Sequence, residues 1–122
     1  MKPTGFAAAL LLWTSIGQSQ TMSVPQARAH DGENATVCGK IQNEHSALNS
    51  KGKPTFLDLD SAFPDQIFTI VVWDDDRPHV GPLPHTGTHV CVSGMINYYH
   101  GVAQIVVKDS AQFTNDSRSG LR

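Results

Sequence analysis

Val37-Cys38-Gly39-Lys40-Ile41 and Val92-Ser93-Gly94-Met95-Ile96 share the pattern V-x-G-x-I. An apolar residue at every second position is the period of a strand with one buried face. A glycine inside such a strand marks a sharp bend or a close backbone approach, as a small closed sheet needs at its corners. Cys38 stands one residue before its glycine and Cys91 three residues before its own. Both offsets are odd, so both cysteines are expected on the face away from the interior.

Further strands follow from the same alternation. The first is expected from about Asn34 to Glu44, with Ala35, Val37, Gly39 and Ile41 inward. Pro54 to Asp60 forms the second, with Leu57 and Leu59 in the core and Phe56, Asp58 and Asp60 opposite. Gln66 to Trp73 forms the third, with Phe68, Ile70 and Val72 inward. Pro78, Pro82 and Pro84 each lack a backbone donor, so residues 74–87 are read as a proline-rich loop and not a regular helix. Strand four covers roughly Thr88 to Tyr98, His100-Gly101 makes a tight turn, and strand five runs from Val102 to Lys108.

The ends read differently. Lys2 followed by the apolar run Phe6 to Ile16 matches a secretory signal, with small residues before a cleavage after Ser19. Eleven apolar residues are too few to span a bilayer, which needs roughly 20. The division expected is a signal peptide over 1–19, a flexible lead-in over 20–33, one domain over 34–113 and a disordered tail over 114–122. Export, to a periplasm or beyond the cell, favours a disulfide between Cys38 and Cys91, 53 residues apart. Without Lys2 the chain holds eight Lys plus Arg against eleven Asp plus Glu. It therefore lacks the basic field that proteins holding nucleic acid mainly through phosphates usually carry.

Five strands with a long first strand and a long connection between the third and fourth suggest an all-β, five-stranded Greek-key barrel of the oligonucleotide/oligosaccharide-binding (OB) type. Residues Ala35 to Phe113 resemble the anticodon-binding type of OB domain, and more closely small exported bacterial single-domain OB proteins. The segments carrying the resemblance are Ala35 to Gly39, Pro54 to Asp60, Gln66 to Trp73, Val90 to Gly94 and Gln104 to Val107. In such domains a helix usually joins strands three and four, and here the proline-rich loop stands in its place. The resemblance implies a stacking aromatic on the second strand, matched by Phe56, and an arginine four residues on, where this chain has Asp60.

The ligand surface expected is the open face of strands two and three. Phe56 is either the stacking platform or cover for a secondary apolar patch, and Trp73 and Tyr98, with Tyr99, are candidates to extend the platform. Lys40, Lys51 and Lys53 are placed to meet a nucleic-acid backbone. Asp58, Asp60 and Asp74 to Asp76 would repel phosphates near that face. Six histidines are scattered over loops without metal-ligand spacing, so no metal and no cofactor are expected. No nucleophile motif or paired catalytic set is present, which argues for a binding module and against an enzyme. Its partner would be single-stranded nucleic acid or a nucleotide-like ligand. The alternative is an envelope protein-interaction or cation-binding scaffold. Asn34-Ala35-Thr36 and Asn115-Asp116-Ser117 fit the N-glycosylation pattern, relevant only in a eukaryotic host.

Overall fold

The computed structural model describes residues 20–115, so the expected signal peptide lies outside the described residues. Eight strands form one mixed sheet. β2 (Asn34–Ser46) is its longest member and buries Ala35, Val37 and Ile41. β5 (His89–Met95) runs antiparallel to the first half of β2, setting Val37 against Val92 and Cys38 against Cys91. β3 (Thr55–Leu59) pairs with the second half of β2, and β4 (Phe68–Val72) pairs with β3. β7 (Val102–Val106) lies parallel to β4, and β6 (Asn97–Tyr99) folds back on β7. β1 (Gln20–Ser23) runs parallel to β2, and β8 (Phe113–Asn115) borders β5.

The alternation places the core as the sequence implies. Leu57, Leu59, Phe68, Ile70, Val72 and Ile96 are all buried in one cluster with Ala35, Val37 and Ile41. β4 has β3 on one side and β7 on the other, and its Thr69 and Val71 are buried as well. Both V-x-G-x-I glycines mark close approaches. A Cβ on Gly39 would lie 2.9 Å from Asp60 Oδ1, and one on Gly94 would lie 2.7 Å from Ile105 Cγ2. Cys38 and Cys91 form a disulfide. Ser23 of β1 and Thr114 of β8 continue their cross-strand row on either side.

Four expectations need correction. Residues 20–33 are not simply a flexible lead-in, because β1 and the one-turn helix α1 (Val24–Ala27) bury Met22, Val24 and Ala27 in the core. Apolar residues spaced along a polar segment carry no period to reveal this. Gln26 Oε1 accepts the Ser23 backbone N–H at 2.8 Å, which holds the start of α1. The expected fourth strand is two strands, because Ile96 turns its backbone to the lead-in. Ile96 N–H donates to Glu33 O at 2.9 Å, and its carbonyl accepts from Gly32 N–H at 2.7 Å. Segment 89–99 thereby pairs with β2 through β5 and with β7 through β6.

The connection after β4 is not merely a loop. A 3₁₀ turn at Asp74–Asp76 leads into the one-turn helix α2 (Arg77–Val80), with Pro78 in the first turn, where its missing donor costs nothing. Val80 and Leu83 then bury against the core. At the C-terminal end, Thr114 and Asn115 belong to β8 and not to a disordered tail; the rest of that expected tail lies outside the described residues. No helix among the described residues is long and apolar enough to cross a membrane.

Candidate functional site

A β-bulge creates the site. Along β2, Ile41 faces Leu59 in the core, and period two would send Asn43 and His45 inward with it. The register shifts between Ile41 and Asn43, which moves the following residues to the opposite face. Asn43 then pairs with Asp58, and His45 pairs with Phe56, on the outer surface of the sheet. Thr69 of β4 and Gln104 of β7 continue the first row, so Asn43, Asp58, Thr69 and Gln104 cross four strands.

Over these rows lies a groove of about 840 Å³. Asn43, Glu44 and His45 line one side, Phe56, Asp58, Thr69, Val102 and Gln104 its floor, and Phe63, Pro64, Gln66, Tyr99 and His100 the remainder. Asp58 is buried, and its two carboxylate oxygens accept from Thr69 Oγ1 at 2.9 Å and Asn43 Nδ2 at 3.2 Å. A buried carboxylate is tolerable only with such donors. The ring planes of His45 and Phe56 lie within 10° of parallel, with centroids 6.4 Å apart. Tyr99 and His100 stack at 4.0 Å. His100 and Gly101 both have positive φ, 52° and 83°, forming the two-residue hairpin turn that carries this pair over the groove. Phe63 and Tyr99 remain 70% and 60% exposed.

Of the residues proposed from sequence, Phe56 is in the groove. Trp73 is not; its ring lies over Gly52, and Asp74 N–H donates to Gly52 O at 3.1 Å, so it pins the loop between β2 and β3. Tyr98 faces away from Tyr99, and its hydroxyl donates to Arg28 O. Lys40, Lys51 and Lys53 are exposed, yet none lines the groove. Asp60, which stands where the resemblance implies an arginine, turns back on the fold: its Oδ1 accepts Lys40 N–H at 2.8 Å. Asp60 and Asp74 to Asp76 therefore do not line the groove either; Asp58 and Glu44 are its carboxylates.

Sequence reading missed His45, Phe63, His100 and the amides Asn43, Gln66 and Gln104. The turn-forming residues Ser46, Asn49, Ser50 and Gly52 make a loop the natural reading from His45 onward, whereas β2 runs on to Ser46, and a bulge has no sequence signature in one chain. His100-Gly101 was legible as a turn, but not as a turn folded over the neighbouring face. Among the described residues no three His, Cys, Asp or Glu side chains converge as metal ligands would.

No protein-family model matches the chain, and no curated protein matches it. Solved structures do. The OB domain of a Methanosarcina mazei protein is similar at a TM-score of 0.55 and 15% identity, over 87% of this chain and 94% of that one. A protein of Leishmania major Friedlin assigned as an aspartyl-tRNA synthetase is similar at a TM-score of 0.50 and 16% identity. That likeness covers 84% of this chain and 22% of the synthetase, so the chain spans about a fifth of that protein. At such identities the likeness establishes the fold: a mostly β, OB-type domain.

Proposed function

We propose that the chain is an exported, non-catalytic OB-fold binding module whose groove takes single-stranded nucleic acid or a nucleotide-like ligand. In this reading β2, β3, β4, the pair β5 with β6, and β7 are the five strands of a Greek-key barrel. The observation carrying the proposal is the ring-lined groove on the outer face of those strands: Phe56, Phe63 and Tyr99 offer apolar ring surface beside a row of hydrogen-bonding side chains. Base stacking on such rings contributes roughly 1–3 kcal/mol per base and tolerates any sequence. Phe56 is the floor of the platform. Lys51 and Lys53 on the loop, and Lys40, meet the backbone of a strand that runs beyond the groove, while Trp73 holds that loop and Tyr98 the lead-in. The tRNA synthetase among the structural neighbours accords with this ligand class, and the Cys38–Cys91 disulfide accords with an oxidising, exported location.

Fluorescence anisotropy of a labelled oligonucleotide at low salt tests the reading. Weak binding that declines with added salt is expected, unaffected by chelators. No binding at high micromolar protein rejects it.

One observation favours a second reading, an envelope protein-interaction or cation-binding scaffold. The groove's lining contains two carboxylates and no lysine or arginine. Capture from periplasmic extract with and without nuclease separates the two, since a protein partner survives nuclease and a nucleic-acid bridge does not.

A further inference from the structure

The groove poses an electrostatic difficulty for a nucleic-acid site, and its own lining contains the remedy. No lysine or arginine lines it, while Glu44 and the buried Asp58 do. At neutral pH with uncharged imidazoles, the surface nearest Phe56 is thus acidic. A polyanion crossing it would gain ring contacts and lose them again to repulsion.

Two histidines sit where phosphates would pass. His45 stands on β2, at one margin of the groove, and His100 stands in the β6–β7 turn, toward the other. The order β7-β4-β3-β2 separates these margins by three strand spacings, ~14 Å at the usual interval. A single strand crossing the floor would meet both. Both side chains are exposed; the His100 ring stacks on Tyr99 at 4.0 Å, and the His45 ring lies near parallel to Phe56 with its centroid 6.4 Å away. Neither has an ion-pair partner among the described residues. The other ionisable groups facing them are Glu44 from β2, Asp58 from β3 and Tyr99 from β6. β4 and β7 contribute only Thr69, Val102 and Gln104, none of which titrates.

We infer that protonated His45 and His100 are the groove's cationic contacts, so that it holds single-stranded nucleic acid in acid and releases it as pH rises. This deepens the binding proposal above and rests on it. Histidine is the side chain that ordinarily changes charge between about pH 5 and 8. Taking up two protons offsets the two carboxylates and supplies charged donors at both margins. A hydrogen bond from a charged donor to a phosphate is about twice as strong as a neutral one.

The test is fluorescence anisotropy with labelled oligo(dT), whose bases take up no protons in this range, at about pH 5.5 and about pH 8 at constant ionic strength. Affinity is expected to rise at least about tenfold in acid, as two new charge-assisted contacts imply. H45Q and H100Q should each shrink the rise, and the double variant should remove it. H79Q, exposed and outside the groove, should retain it. Thermal melts at both pH values check that each variant is folded, and H45N and H100N serve if a glutamine variant is not. Equal affinity at the two pH values, or a rise that survives H45Q/H100Q, overturns the histidine assignment and leaves the groove reading standing. No binding at either pH overturns both.

Discussion

β2 passes through two different environments, one cross-linked and packed between neighbouring strands, the other bordering the groove. Its first half, through Lys40, has β1 and β5 as partners and is stapled by Cys38–Cys91. Its second half, from Ile41 to Ser46, pairs with β3 and turns Asn43 and His45 out into the groove. The bulge between Ile41 and Asn43 is the boundary. One strand thus divides the work: cross-links and close packing on one side of the bulge, presented side chains on the other.

The sharpest way to break this contrast is to remove the staple. Opening a loop of 53 residues should cost about 4 kcal/mol by the chain-entropy relation, with measured values often smaller. C38S/C91S should lower the urea midpoint accordingly. A double variant as stable as the parent would show that the first half of β2 does not depend on its bridge. G94A probes the same half more locally, because the new Cβ would press on Ile105 Cγ2 at 2.7 Å. Overpacking of that kind costs about 1–3 kcal/mol, and a neutral result would mean that Ile105 has room to move.

The two halves also differ in how far sequence revealed them. Period-two alternation in β2, β3 and β4 located the core, since burying one face of a strand constrains every second residue. The cysteine pair was legible because both sat at odd offsets from glycines on neighbouring strands. Past the bulge, alternation misleads: one inserted residue reverses the faces, so the period that places Ile41 in the core does not place His45 on the outer face. The lead-in was illegible for a different reason. Met22, Val24 and Ala27 reach the core through a short strand and a single helical turn, too brief to show a period. Phe56 was implied by the resemblance to anticodon-binding OB domains, while Tyr99 and Phe63 joined it through turns whose direction only the fold determines.

On the open side, F56A should weaken oligonucleotide binding by the value of one stacked base, about 1–3 kcal/mol, or roughly five- to 150-fold. Phe56 is only half-buried, so the loss in stability should fall below that of a fully buried aromatic, about 3–5 kcal/mol. An unchanged affinity alongside reduced stability would assign Phe56 to surface cover, and the contrast between the halves would lose its functional meaning.

The smallest effect concerns the loop lysines. Lys51 and Lys53 are exposed and outside the groove, so they can meet only the part of a strand that extends beyond it. Each phosphate contact on single-stranded nucleic acid contributes about 0.7 to the slope of log affinity against log salt. K51A/K53A should therefore flatten that slope by about one to one and a half while leaving the melting temperature nearly unchanged. If the proposed groove alone holds a mononucleotide, the double variant should not alter that affinity. If mononucleotide affinity falls as much as oligonucleotide affinity, the loop folds over the groove in the bound state, and the open half of β2 extends further than its bulge suggests.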